Sequence, residues 1–189
     1  TSGASPGAVT TFQEAQSMSA FATGQAAFLR NWDYGWSYSQ TASSPSSVVG
    51  KVGVTPLPSF AGQPSPGTSN IGGWNLYINP HSKNVAADVT FIKWMTSPAA
   101  QTILGTEFSE IPTVQSVRNS AAVKAKNPVL AIVGQTRLIP RPAQTPQYAK
   151  VSQAIYTNIN SMLSGSTSPS SALSAASSQI NSALTSSGL

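Results

Sequence analysis

The sequence predicts an α/β chain, and three observations carry that expectation. About five stretches repeat apolar residues at helical spacing, and several short apolar runs are bounded by glycine or proline, as strands are. Charged residues make up only 8% of the 189, about a third of the usual share, while hydrophobic residues reach 40%. That balance suits a packed domain, because disorder needs low hydrophobicity with high net charge.

The elements follow in order. Thr11-Phe-Gln-Glu14 matches a capping box, so a helix is expected from Phe12 to about Thr23, closed by Gly24. A buried strand is expected over Gln25–Asn31, on the apolar run Ala26 to Leu29. Ser39 to Gly50 reads as an exposed polar connection, Lys51–Leu57 as a strand stopped by Pro56 and Pro58, and Phe60 to Asn70 as a loop rich in glycine and proline. Gly73–Ile78 reads as a strand opened by paired glycines and ended by the Asn79-Pro80 turn.

Asn84 opens a helix carrying Val85, Val89, Ile92 and Met95 on one face, and Ser97-Pro98 starts another that ends at Gly105. After extended Ile111-Pro112-Thr113, modest helices are expected over Ser116–Lys126 and Pro128–Gln135. A longer one from Thr145-Pro146 turns Tyr148, Val151, Ile155, Ile159 and Met162 inward and closes at Gly165. The last, from Ser168-Pro169, has Leu173, Ala176, Ile180 and Leu184 as its stripe. No internal repeat is visible.

Trp32, Tyr34 and Trp36 recur at every second residue, with Asp33 between the first two. On an extended segment they would share one face, a row of flat rings at a strand end. Rings beside planar hydrogen-bonding groups suit a sugar, whose C–H faces are apolar and whose rim is hydroxyl. The same rings could equally be core aromatics with polar tips.

The net charge of +5 comes from few acids rather than clustered bases, so a nucleic-acid surface is not expected. Absent cysteines exclude a disulfide framework and a thiolate metal site. No run of 18 apolar residues occurs, so no segment is expected to span a membrane as a helix. The chain opens on Thr1 rather than methionine, so its first residues neither support nor oppose export. An enzyme is not expected. His81 follows a turn, Pro6 spoils the Gly3-Ala-Ser-Pro-Gly7 match to a nucleophile elbow, and Glu107 and Glu110 sit together at one helix end rather than facing across a cleft. No cofactor or metal is expected either.

The Phe21–Trp36 run, Val52–Pro58, the Ile71-Gly-Gly-Trp-Asn-Leu-Tyr-Ile78 strand and Arg141-Pro142 followed by Tyr148 occur in this order. In that order the chain resembles the C-terminal half of an extracellular solute-binding protein of family 1, the maltose- and trehalose-binding branch that serves ABC sugar importers. The resemblance runs from about Ser5 to the last helix and is most specific at Gly24–Tyr34 and Gly72-Gly73-Trp74. It implies a periplasmic-binding-protein type II fold, in which two α/β lobes close on a ligand. Residues 1–53 and 113–189 would belong to the second lobe and 54–112 to the first, with hinge crossings near 54–58 and 110–113. A strand and two amphipathic helices in 54–112 would need a sheet that the sequence does not supply. An N-terminal half of the same protein is therefore an expected partner, and the chain alone is expected to bind sugar weakly.

The resemblance also implies sugar contact by Trp32, Tyr34, Gly73, Trp74 and Arg141, with Tyr34 and Trp74 stacking from opposing lobes. Arg141 would hold paired hydroxyls with its fork of donors. Trp36 and Tyr148 would contact the ligand or support those that do. Asp33 stands where relatives often carry proline, and could accept sugar hydroxyls or cap the turn. The implied function is extracytoplasmic binding of a disaccharide such as trehalose or maltose, in the periplasm or on a surface lipoprotein, for ABC permease subunits. The alternatives are an oligosaccharide or glycerol phosphate ligand, and less so a carbohydrate-active enzyme.

Overall fold

A computed structural model describes residues 3–41, 46–142 and 144–185. A 3-10 turn over Gly7–Thr11 precedes α1 (Glu14–Ala22) and α2 (Gly35–Gln40); β1 (Thr68–Asn70), α3 (Val85–Met95), α4 (Pro98–Glu107), α5 (Gln115–Asn119), α6 (Ala121–Lys126) and α7 (Val129–Val133) follow. β2 (Arg137–Ile139), α8 (Tyr148–Leu163) and α9 (Pro169–Thr185) complete the order, a helix-rich α/β chain. Two compact units result: Met18–Ile139, and the residues up to Ser17 together with those from Pro140 onward.

In the Met18–Ile139 unit, α1 ends as expected at Gly24, whose φ of 78° is the left-handed conformation that glycine tolerates. Its start lies later than the capping box implied, because the Thr11 hydroxyl donates to the Ala8 carbonyl and serves the 3-10 turn instead. The strands expected at Gln25–Asn31, Lys51–Leu57 and Gly73–Ile78 do not form. Phe28, expected in a buried strand, is 94% exposed. The physical reason is pairing: a strand's amides and carbonyls need a neighbouring ladder. The strand that forms instead, β1, lies inside the expected Phe60–Asn70 loop and pairs in parallel with β2, Thr68 opposite Arg137 and Asn70 opposite Ile139. The Ile71 amide extends this ladder by donating to the Ile139 carbonyl at 2.8 Å.

The helices were more legible. Ser97 caps α4 by accepting the Ala100 amide at 3.3 Å, with Pro98 at the first turn. Gly105 does not end α4 but lies buried within it, where a Cβ would stand 2.9 Å from Val123 Cγ1 and 3.0 Å from Pro112 Cγ. The missing side chain lets α4 approach α6 and Pro112 closely. Pro112, expected at a hinge crossing, is fully buried there, and the next amide, of Thr113, donates to Gln101 Oε1 at 2.8 Å. The predicted Ser116–Lys126 helix is broken at Ser120 into α5 and α6. Val117, Val123 and Leu130 form the core that holds α5, α6 and α7 together. Ser39, expected on an exposed connection, is buried in α2 with its hydroxyl on the Trp36 carbonyl; residues 42–45 of that connection lie outside the described ones.

In the other unit α8 and α9 pack together, and Asn160 Nδ2 donates to the Thr10 carbonyl at 2.7 Å, pinning the 3-10 turn to α8. Gly165, at φ 79°, closes α8 as expected. The buried stripe of α9 is Ala172, Ala176 and Ala183, and Leu173 faces outward. On α8, Val151 and Ala154 are buried while Ile155 is exposed. Small residues at the seam let the helices approach closely, and Asn158 Nδ2 joins Gln179 Oε1 across it at 3.0 Å. Among the described residues no helix is long and apolar enough to cross a membrane.

Candidate functional site

The aromatic run is a turn leading into a helix, not an extended strand. The Gly35 amide donates to the Trp32 carbonyl at 3.1 Å and the Trp36 amide to the Asp33 carbonyl at 3.2 Å, after which α2 begins. Trp32, Tyr34 and Trp36 therefore do not share the single face that alternation required. The cause lies in the interleaved polar residues. Asn31 Oδ1 accepts the Trp32 amide at 2.7 Å and Asp33 Oδ1 the Tyr34 amide at 3.1 Å, the local side-chain bonds that turn a chain. Gly35 then packs with its Cα against the buried Met18, where a Cβ would meet Sδ at 3.5 Å.

Asp33 also reaches beyond the turn: its second oxygen accepts the Ile111 amide at 2.8 Å, far along the chain. Ser37 adds a second tie, its hydroxyl donating to the Phe108 carbonyl at 2.9 Å. Glu110 lies on the same segment, half-buried, whereas Glu107 is exposed and pairs with Lys126 at 3.6 Å. Burial, and then the negative charge of nearby Asp33, pushes the Glu110 carboxyl above the ordinary glutamate range. The folded chain therefore favours the protonated form. That contribution to stability is complete below the ordinary value and is lost as pH rises through the raised one. Glu110→Gln is expected to flatten this part of the stability curve, read as melting temperature between about pH 4 and pH 8. An unchanged slope would count against the assignment.

Trp32 reaches the glycine-led segment. Its indole lies over the Gly72 backbone so closely that a Cβ there would stand 2.6 Å from Cη2 and 2.7 Å from Cζ3. Gly72 is thus the close-approach glycine, and what approaches is the indole; a Cβ on Gly73 would meet nothing within 4 Å. Gly73, which the resemblance implies as a ligand contact, is open on that side, and no local signal marks Gly72 as the glycine that Trp32 covers. Gly72→Ala is expected to displace Trp32 with little loss of stability, since a side chain rather than backbone must move. A shifted tryptophan emission at an unchanged melting temperature checks this.

The rings are not sealed in a core. Trp74 is 99% exposed, Trp32 44% and Tyr77 85%, while Tyr34 and Trp36 are partly buried. Trp32, Tyr34, Gly73 and Trp74 all fall in the Met18–Ile139 unit, whereas Arg141 and Tyr148 fall in the other. Arg141 is exposed and, among the described residues, makes no hydrogen bond or ion pair; Tyr148 opens α8, half-buried. An open groove of ≈ 390 Å³ runs between residues 76–82 and α3, lined by Tyr77, Asn79, His81, Asp88, Phe91 and Ile92. His81 sits in the expected turn, its amide on Asn79 Oδ1 at 2.9 Å. Among the described residues no group of three or more histidine, aspartate or glutamate side chains could hold a metal ion.

Trp32 and Trp74 thus stand exposed on irregular segments, with Gly72 against the Trp32 ring. Residues 2–102 match the bacterial extracellular solute-binding proteins, and the chain belongs to that family. It is 30% identical over 174 residues to a probable ABC transporter-binding protein of Deinococcus radiodurans, covering 90% of this chain and 40% of that protein. Among solved structures it is similar to maltose-bound MalE3 of T. maritima, with a TM-score of 0.78 and 28% identity over 93% of this chain and 45% of that one. The chain thus spans less than half the length of either relative. The periplasmic-binding-protein fold expected from the sequence is the fold of this structural neighbour.

Proposed function

We propose that this chain is part of a two-lobed, extracytoplasmic binding protein that captures a disaccharide such as maltose or trehalose for an ABC importer. The observation that carries this reading is the pairing of Trp32 with the Gly72-Gly73-Trp74 segment, which leaves two indoles open to solvent. Family membership and the maltose-bound structural neighbour support it. Flat rings bind the apolar faces of pyranoses; Tyr34 and Arg141 add donors, and Trp36 and Tyr148 support them. The protein works by binding alone and changes no covalent bond in the ligand. Permease subunits are its partners, and the periplasm or a lipid-anchored cell surface is its place.

Because α4 rests on α5 and α6, we place the second crossing at the β1–β2 pair, beside Ile139, rather than near 113. An N-terminal half of the protein would pair with residues 71–78 and cover the exposed Phe91 and Trp94 of α3.

A disaccharide has about 23 non-hydrogen atoms, and about 0.3 kcal/mol for each gives a dissociation constant near ~10 µM. A thermal-shift screen of the intact protein against mono- and disaccharides tests the reading. A ligand at about 100 times its dissociation constant should raise the melting temperature of a protein of twice this length by roughly 3 °C. A shift only with oligosaccharides or glycerol phosphate would reassign the ligand, and no shift with any sugar would refute the sugar-binding reading.

A further inference from the structure

We propose that Asp33 is a positioning residue of the aromatic site, clamping the Trp32–Tyr34 turn onto the segment that follows α4. This rests on the sugar-binding reading above. One carboxylate oxygen accepts the Tyr34 amide at 3.1 Å and the other the Ile111 amide at 2.8 Å, so a single side chain closes a span of 78 residues. A carboxylate can do this and a carboxamide cannot, since only the former accepts at both ends.

The receiving segment is itself fixed. Ser109 is buried with φ at 59°, the left-handed region, and bends the chain sharply after α4. The Glu110 amide donates to the Leu104 carbonyl at 3.2 Å, and the Glu110 carbonyl accepts from Asn127 Nδ2 at 3.3 Å. Asn127 is completely buried, so the platform is anchored in the helical core. The Ser37 hydroxyl, which reaches both the Tyr34 and Phe108 carbonyls, braces the same junction from α2. The turn therefore has two constraints: Gly72 beneath the Trp32 ring, and Asp33 holding the Tyr34 amide two residues on. With amide hydrogens on both oxygens, Asp33 sets the place of the rings that meet the sugar.

Amide hydrogen exchange on the intact protein reads the clamp without any ligand. Asp33→Ala should speed exchange at Ile111 about tenfold, the size expected for losing a hydrogen bond to a charged group. Asp33→Asn, close to isosteric, should keep one of the two bonds and release the other. Tryptophan emission should shift in Asp33→Ala, and the shift should vanish in a Trp32→Phe background. Maltose affinity, by calorimetry, should fall in the order Asp, Asn, Ala. Gln101→Ala provides the control: it removes the acceptor of the Thr113 amide in the same region, and its side-chain hydrogen bonds run to Thr113 and Met95 rather than to the aromatic turn. It should lower the melting temperature and leave affinity unchanged. Unchanged exchange at Ile111, no Trp32-dependent emission shift, or equal maltose affinity in Asp33→Ala would each overturn the proposal. Failure of every sugar to bind the native protein would instead remove the functional reading, while exchange and emission would still decide the clamp.

Discussion

Trp74→Ala is expected to weaken maltose binding about thirtyfold and leave the melting temperature unchanged. Trp74 is 99% exposed, so its removal uncovers no core and should change stability by no more than about 0.5 kcal/mol. A tryptophan at the centre of a binding surface typically costs about 2 kcal/mol on truncation, and that sets the affinity change. Calorimetric titration beside a melting curve separates the two quantities. A melting temperature lowered by several degrees with affinity intact would make Trp74 a packing residue.

Leu130→Ala should do the reverse. Leu130 joins Val117 and Val123 in the core under α5, α6 and α7, and it lies far in kind from the solvent-facing rings. Deleting its branched end should cost about 3 kcal/mol, the transfer term plus the cavity it leaves. For a chain of this size that is a fall of about 6–12 °C in melting temperature. Scanning calorimetry is the appropriate readout, since the two units need not melt in one transition. A fall below about 2 °C would mean that the cluster does not hold the unit together.

Much of the helical order was legible because its signals are local. Ser97-Pro98, Asn84, Gly24 and Gly165 mark ends that the backbone must satisfy within a turn or two, and each stands at or next to the end it predicted. Gly105 was misread for the opposite reason: its role is to admit Val123 and Pro112, residues no local pattern connects to it. Likewise α9 could turn either Leu173 or its alanines inward, and a close approach to α8 selects the alanines.

The strands failed because strand propensity is met only by a partner. Residues 25–31, 51–57 and 73–78 form no ladder among the described residues, although the Leu57 carbonyl accepts the Gly67 amide, while the unremarkable Thr68–Asn70 found β2. In the aromatic run, the residues alone do not reveal their arrangement. Alternating Trp32, Tyr34 and Trp36 suggested extension, yet Asn31, Asp33 and Gly35 between them are turn formers and carried the better signal. That Trp32 would rest on Gly72, and Asp33 reach Ile111, depends on segments about 40 and 78 residues away, beyond any local reading.

The most direct test is calorimetric titration of the intact protein with maltose, run beside a Trp32→Ala/Trp74→Ala variant. The account predicts saturable binding near ~10 µM for the native protein and no measurable heat from the variant at the same concentrations. Equal affinity in both, or no saturable binding of any sugar by the native protein, would contradict it.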